Sequence, residues 1–165
     1  MSRIKTTLAD VRQLDKFYER TIPGDFLDEN DHVNVQYYLR LVEKGLGAVF
    51  CQVGLGKIYA AADPYGNFAL EQHIRYLAEI MVDDRVSVYI RLVDLSPKRA
   101  YFMGFLINET REQLAAIVEV VMMNVAMSQR RGAPFPVAPH ARLGEMLARH
   151  EQLPWPAPVC GVMRA

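Results

Sequence analysis

The amino-acid sequence predicts an α+β fold in which one long central helix is wrapped by a curved antiparallel sheet of about five strands. Three observations carry this. Apolar residues recur at helical spacing from Asn34 to Phe50, on a broad face. Four apolar segments of strand character follow between Phe68 and Met127, with turn residues between them. Finally, 51% of the residues are hydrophobic and 23% charged, which is apolar material enough for a core. A chain of 165 residues has the length of one ordinary domain, expected to bury roughly 70% of its unfolded surface. The expectation is a single domain over 1–165, with 140–165 a C-terminal helix and tail.

Leu8, Val11, Leu14 and Tyr18 follow a possible Thr7 cap at helical spacing, predicting a short helix over 8–18. The Pro23-Gly24 pair and the cluster Asp28, Glu29, Asn30, Asp31 then punctuate strongly, so a first strand is expected to end in a polar loop near Asp28. Asn34 is a suitable N-cap for a helix over 34–50, whose face is built from Tyr37, Tyr38, Leu41, Val42, Leu46 and Val49. Gly45 and Gly47 each cost that helix about 1 kcal/mol relative to alanine, tolerable if they let it lie close against a sheet. After a loosely patterned, glycine-containing stretch to Gly66, Phe68, Leu70, Ile74 and Tyr76 oppose Glu71, His73 and Arg75, the alternation of a half-exposed strand. Val86, Val88, Ile90 and Leu92 alternate with Ser87, Tyr89 and Arg91, and Tyr101 to Ile107 forms the next apolar run. Leu114 to Met127 fits helix or strand by periodicity, but its valines and isoleucine favour a fourth strand, completing an antiparallel meander. Prolines make Ser128 to His140 a loop, and Ala141 to His150 reads as a short helix before a PWPAP tail.

Nineteen basic residues balance nineteen acidic ones, so no global field draws the protein to nucleic acid or to an anionic membrane. The longest apolar stretch, fourteen residues containing Glu119 and Asn124, is too short for a membrane span, which needs about twenty. Charges are scattered through the N-terminus, which excludes a secretory signal and leads to the expectation that the mature chain is the whole chain. Cys51 and Cys160 stand 109 residues apart with no CxxC, so neither a zinc ribbon nor a disulfide scaffold is available, and a reducing cytoplasm is the expected location.

The chemistry concentrates where the polar loop meets the central helix. A carboxylate a few residues before a helix N-terminus sits beside unpaired backbone N–H groups and the positive end of a dipole, an arrangement able to hold an oxyanion under attack. Asp28 occupies that position; the plainer alternative is that it only ends a strand and caps the helix. Glu43, further along the helix, is a second candidate base, set against pairing with Arg40 or Arg75. His32 lacks a second His or Cys at ligand spacing, so a hydrogen bond across the loop is expected of it and no metal.

The segment FLDENDHVNVQYYLRLVEKG, with Asp28, His32, Val33, Asn34, Tyr38 and Glu43, resembles the motif D-x-x-[GQ]-H-[VM]-N-x-x-x-Y that opens the central helix of hotdog-fold acyl-CoA thioesterases of the 4-hydroxybenzoyl-CoA type. The likeness covers roughly residues 16 to 139. It implies hydrolysis of an acyl-CoA to acid and free coenzyme A without metal or redox cofactor. It also implies that Asp28 attacks the thioester or activates water, that the backbone N–H of Val35 polarises the carbonyl, and that His32, Asn34 and Tyr38 line the substrate site. Some relatives place the catalytic carboxylate at the helical position of Glu43 instead. Ser128-Gln129-Arg130-Arg131 leading into APFP resembles the segment after the last strand in several such thioesterases, including those acting on betainyl- or carnitine-derived thioesters. Arg130 and Arg131 are suited to gripping the phosphates of coenzyme A, the plainer alternative being a solvated charge pair. The family site lies between subunits, so a homodimer or a tetramer built as a dimer of dimers is implied, with no nucleic-acid or membrane partner. Asp31 and Val35 depart from the usual pattern, Asp31 standing where glycine or glutamine is usual. Its charge, three residues from Asp28, keeps open a hotdog protein that binds an acyl-CoA or small acid without hydrolysis. A hydratase would want a His and Asp pair, whereas here Asp precedes His as in the thioesterase pattern.

Overall fold

The structure is a computed structural model that describes residues 5–55 and 64–165. The loosely patterned stretch before Gly66 falls mostly outside these residues. Helix α1, Leu8–Val11, opens on a capping box in which Thr7 and Asp10 satisfy each other's backbone N–H groups. It ends earlier than its periodicity implied, because Tyr18 belongs to strand β1, Lys16–Thr21. That strand also stops well before Asp28. Pro23 has no N–H to continue a ladder, and a single 3₁₀ turn, Gly24–Phe26, leads into the polar loop.

Helix α2, Val35–Gln52, is capped as expected, with Asn34 Oδ1 accepting from the Gln36 N–H at 3.1 Å. The strands are β2 (Tyr65–Tyr76), β3 (Arg85–Leu95), β4 (Arg99–Asn108), β5 (Gln113–Ala126) and the two-residue β6 (Arg131–Gly132). Their spatial order is β1-β3-β4-β5-β2, with β6 beside β5 and every pairing antiparallel. This corrects the expected four-strand meander. Only β3, β4 and β5 follow one another, while β2 crosses to the far side of β5 and leaves β3 to pair with β1. A second correction concerns the C-terminus, where helix α3 spans Val137–Glu151 and so begins inside the proline-rich run. Pro136 and Pro139 fall at its N-cap and first turn, where a missing N–H costs nothing.

The sheet curls around α2. Val88, Ile90, Leu92, Phe102, Leu106, Val118 and Val120 face the helix and join Leu41, Val42, Leu46 and Val49 in the main core. Two glycines set the closeness of this contact. A Cβ at Gly45 would fall 2.5 Å from Val88 Cγ1, and one at Gly104 of β4 would strike Val42. Gly47, expected to serve the same purpose, faces open space.

Candidate active site

The polar loop folds against the helix entrance. Ile22 N–H donates to Asp84 O, Asn34 N–H to Phe26 O and Val33 N–H to Ile80 O, each at 2.9 Å, so the loop is stitched to its neighbours at both ends. Inside it, Asp28 N–H donates to His32 O at 2.9 Å and Asp31 N–H to Asp28 O at 3.2 Å, closing a tight turn. Asp31 sits there at φ 61°. That is the left-handed region favoured by glycine and tolerated by aspartate, which accounts for this position's departure from the usual glycine.

The Asp28 side chain is partly exposed. Its Oδ1 accepts from the Asn30 N–H at 2.8 Å, and its Oδ2 stands 3.3 Å from His32 Nδ1. Asp28 and His32 are thus brought together. The Val35 N–H, first of α2, finds no acceptor among the described residues, as expected of a helix start. Beside it opens a cavity of about 290 Å³ lined by His32, Val33, Val35 and Tyr38 together with Tyr76 and Glu79. The Tyr38 ring is fixed because its hydroxyl donates to Ala78 O at 3.2 Å and accepts from the Ile80 N–H at 3.1 Å. Burial pushes that phenol above its ordinary value, so it stays protonated.

Glu43 stands apart from this group. Eight residues of helix separate it from Val35, about 12 Å. It lines a second cavity of about 270 Å³ with Phe50, Asn67 and Gln72, and both polar atoms of the Asn67 amide are buried there without a partner among the described residues. Arg130 and Arg131 are exposed. Arg130 lies 5.6 Å over the Phe68 ring, at the opposite end of β2 from Tyr76; eight residues of strand make that roughly 26 Å. Within one protomer, therefore, neither Glu43 nor the arginines meet Asp28.

Sequence reasoning missed two groups. Tyr76 and Glu79 reach the His32 cavity only because β2 ends beside the α2 entrance. On the outer face of the sheet, His73, Glu119 and Cys160 bring their potential ligand atoms within 4.8 Å of one another. Arg75 also stands 3.4 Å from Glu119, so the carboxylate already has a cationic partner. The alternation of Glu71, His73 and Arg75 on β2 gave a signal for this second group, but not for its partner Glu119 in an apolar strand nor for what covers them.

The model of the Thioesterase-like superfamily matches residues 22–149, which include the whole loop, α2 and the sheet from β2 to β5. The chain belongs to this superfamily. Among curated superfamily relatives, the betainyl-CoA thioesterase of Pseudomonas aeruginosa is 28% identical over 139 residues, covering 84% of this chain and 87% of that protein. An L-carnitine dehydrogenase/betainyl-CoA thioesterase of Agrobacterium fabrum is also 28% identical over 82% of this chain, but over only 28% of its own length. Two solved structures share the fold. A Staphylococcus aureus protein in complex with CoA gives a TM-score of 0.75 at 24% identity, covering 87% of this chain and 90% of that one. The 1,4-dihydroxy-2-naphthoyl-CoA thioesterase of Synechocystis gives 0.71 at 17%, covering 80% and 98%. The long helix wrapped by a curled antiparallel sheet is the hotdog fold. No helix among the described residues is long and apolar enough to cross a membrane.

Proposed function

We propose that this superfamily member hydrolyses an acyl-CoA thioester to the free acid and coenzyme A, the chain working as one domain in a homo-oligomer. The observation that carries the reading is the juxtaposition of the Asp28–His32 turn with the free Val35 N–H at the mouth of a cavity, inside the segment matched by the superfamily. In this reading the thioester carbonyl oxygen takes the Val35 N–H and the positive end of α2. The Asp28 carboxylate attacks the carbonyl carbon or takes a proton from the water that does. The C–S bond then breaks, the coenzyme A sulfur leaves with a proton, and water supplies the oxygen of the acid. His32 positions Asp28, while Asn34 holds the helix start in place and Tyr38 forms the cavity wall.

The distances within one protomer support an oligomer. β2 is an edge strand of twelve residues, a length of unpaired edge that proteins normally cover. Antiparallel pairing of two β2 edges about their middle brings Arg130 of one copy toward the Tyr76 end of the other. It would draw Glu43 closer to the opposite loop in the same way. Arg130 and Arg131 then reach the phosphates of a coenzyme A whose thioester lies at Asp28. Both cysteines are free, in keeping with a reducing cytoplasm.

The test is a panel of acyl-CoA substrates assayed by release of free thiol. The betainyl group named for the Pseudomonas aeruginosa relative ends in a quaternary ammonium and sets the first substrate to try. Thiol release well above the uncatalysed rate is expected for at least one thioester, and none across the panel overturns hydrolysis. One observation favours binding without hydrolysis as the second reading: both oxygens of Asp28 already have partners. Saturable acyl-CoA binding without thiol release would establish it.

A further inference from the structure

Two features of the cavity between α2 and β2 oppose stability, and no contact offsets either. Gly47 weakens the interior of a helix, yet a Cβ there would meet nothing within 4 Å, so close packing does not require it. Its missing side chain leaves the cavity open. Asn67 keeps both its amide oxygen and its amide nitrogen out of solvent with no hydrogen-bond partner among the described residues, a state that buried polar groups normally avoid. Asn124, opposite it on the β2–β5 ladder, commits its own amide nitrogen to Ala133 O at 3.1 Å and Pro134 O at 2.9 Å. It therefore has no donor left for Asn67 Oδ1.

The register of β2 gathers these groups on one wall. Its pairing with β5 shifts between Ala69 and Glu71, an irregularity that re-aims the side chains beyond it, so Asn67 and Ala69 line the cavity together with Gln72. Leu46, Phe50 and Met122 make the rest of the wall apolar. Glu43 is the only charged residue of the lining. It has no ion pair among the described residues and disfavours an anionic guest. A carboxylate would also leave Asn67 Oδ1 without a donor, an ammonium would leave Nδ2 without an acceptor, and an alkyl group would leave both alone. A primary carboxamide donates and accepts at neighbouring atoms and satisfies both at once.

In one protomer this cavity is remote from the hydrolytic groups, since Gly47 lies twelve residues of helix from Val35, about 18 Å. Antiparallel pairing of two β2 edges about their middle changes that. Asn67 then stands level with Ile74 of the partner subunit, two residues or about 7 Å short of the partner's Tyr76. Tyr76 lines the cavity at the Val35 N–H. An acyl group held at the Val35 N–H of one copy thus runs across the paired edges into the Asn67 cavity of the other.

We propose that the cavity of Gly47 and Asn67 is an acyl subsite, shared across the subunit boundary, that selects chains ending in a primary carboxamide, an inference that rests on reading Asp28 and Val35 as the hydrolytic site. Asn67 is its specificity-determining residue, and Gly47 provides the room.

The experiment compares coenzyme A thioesters of matched shape in which an isopropyl end replaces the carboxamide: 6-amino-6-oxohexanoyl-CoA against 6-methylheptanoyl-CoA, and 8-amino-8-oxooctanoyl-CoA against 8-methylnonanoyl-CoA. At one of the two lengths the full chain should prefer the carboxamide in kcat/KM by at least about tenfold. Asn67→Leu, which keeps the size and removes the amide, should bring that ratio to within about twofold of unity. The same variant should hold or raise the melting temperature of the free protein, because it removes two buried atoms that have no partner. Gly47→Leu, which fills the space, should lower kcat/KM for the carboxamide thioester at least about tenfold. Equal kcat/KM at both lengths, or preference for the alkyl end, overturns the subsite and leaves hydrolysis standing. A preference that survives Asn67→Leu, or a lower melting temperature in that variant, overturns it too, the latter by showing that the amide pairs within the protein. A strictly monomeric chain by light scattering also overturns it, since the cavity and Asp28 then stay apart. If no thioester is hydrolysed, the hydrolytic reading falls. Calorimetric affinities for the same pairs then decide the subsite, a preference for the carboxamide supporting it and equal affinities overturning it.

Discussion

Two carboxylates on opposite faces of the same sheet show what separates a reactive group from a structural one. Asp28 lies on the helix side, partly exposed, held by one backbone N–H and one imidazole. Glu119 lies on the outer side, fully buried, and accepts from His73 at 2.9 Å, Arg75 at 3.4 Å, the Cys160 N–H at 2.8 Å and the Tyr101 hydroxyl. A carboxylate has about four lone-pair directions, and in Glu119 all of them are taken. Burial pushes Glu119 up, but the hydrogen bonds from His73, Tyr101 and Cys160 outweigh it and hold the group below its ordinary value of 4.5. The same burial and the facing Glu119 keep the Tyr101 phenol protonated.

The outer carboxylate fastens the C-terminal tail. Arg75 also donates to Pro158 O, Arg91 donates to Trp155 O at 2.9 Å and to His150 O at 3.1 Å, and Arg99 donates to Ala165 O at 3.1 Å. Trp155 packs edge-on to Phe105 and under the Arg91 guanidinium. Tyr89, Met103, Phe105, Ile107 and Ile117 form a second apolar cluster under this cover. A saturated, dry carboxylate serves stability, and a partly satisfied one beside a cavity is available for chemistry.

The sharpest way to break this contrast is to neutralise each carboxylate in turn. Asp28→Asn keeps the shape and removes the base or nucleophile, so turnover of an acyl-CoA should fall by about a hundred- to ten-thousandfold with the melting temperature little changed. Retention of most activity would transfer the role to Glu43.

The next largest effect is on acid stability. Burial, then the charges of Arg91 and Arg149, push the His150 imidazole from 6.5 down to about 4, where its Nδ1 accepts from the Leu92 N–H. Below pH 6.5 the unfolded chain binds a proton that the folded chain refuses. Stability should therefore decline by roughly 3 kcal/mol as pH falls from 6.5 to 4. The Glu119 contribution, present above its unfolded value, is lost at still lower pH as the folded carboxylate protonates. Urea midpoints measured across this range check the slope, and a flat profile would mean that the outer face opens without unfolding.

Glu119→Gln should cost about 2 kcal/mol of stability, because a neutral amide cannot accept from all four donors. Turnover should stay within about twofold of the parent. A large loss of activity with little change in urea midpoint would erase the division between the two faces. Smallest is the effect of Arg130→Ala with Arg131→Ala. The Michaelis constant for an acyl-CoA should rise severalfold, about 3 to 10, while the same acyl group on a short thiol without phosphates is nearly unaffected. Added salt should mimic the double variant, since exposed ion pairs are screened over about 10 Å at 0.1 M. Equal loss on both substrates would reassign the arginines to the fold or to contact between subunits.

Much of this protein was legible in local sequence. Period 3.6 after Asn34 and period 2 after Phe68 located α2 and the strands, since one buried face imposes its own spacing on the chain. Asn34 announced its cap and Asp28 to Tyr38 their motif, both short-range patterns of hydrogen-bonding residues. What tertiary structure alone decided was pairing across distance. That β2 flanks β5 instead of β3 leaves no mark on the periodicity of either strand, yet it carries Tyr76 and Glu79 to the helix entrance and parts Arg130 from Asp28. Arg91 alternates with apolar residues and Glu119 stands alone in an apolar stretch, and neither shows that the tail from Trp155 to Ala165 folds over them. Alternation records that two faces differ, but which of them meets water depends on chain segments tens of residues away.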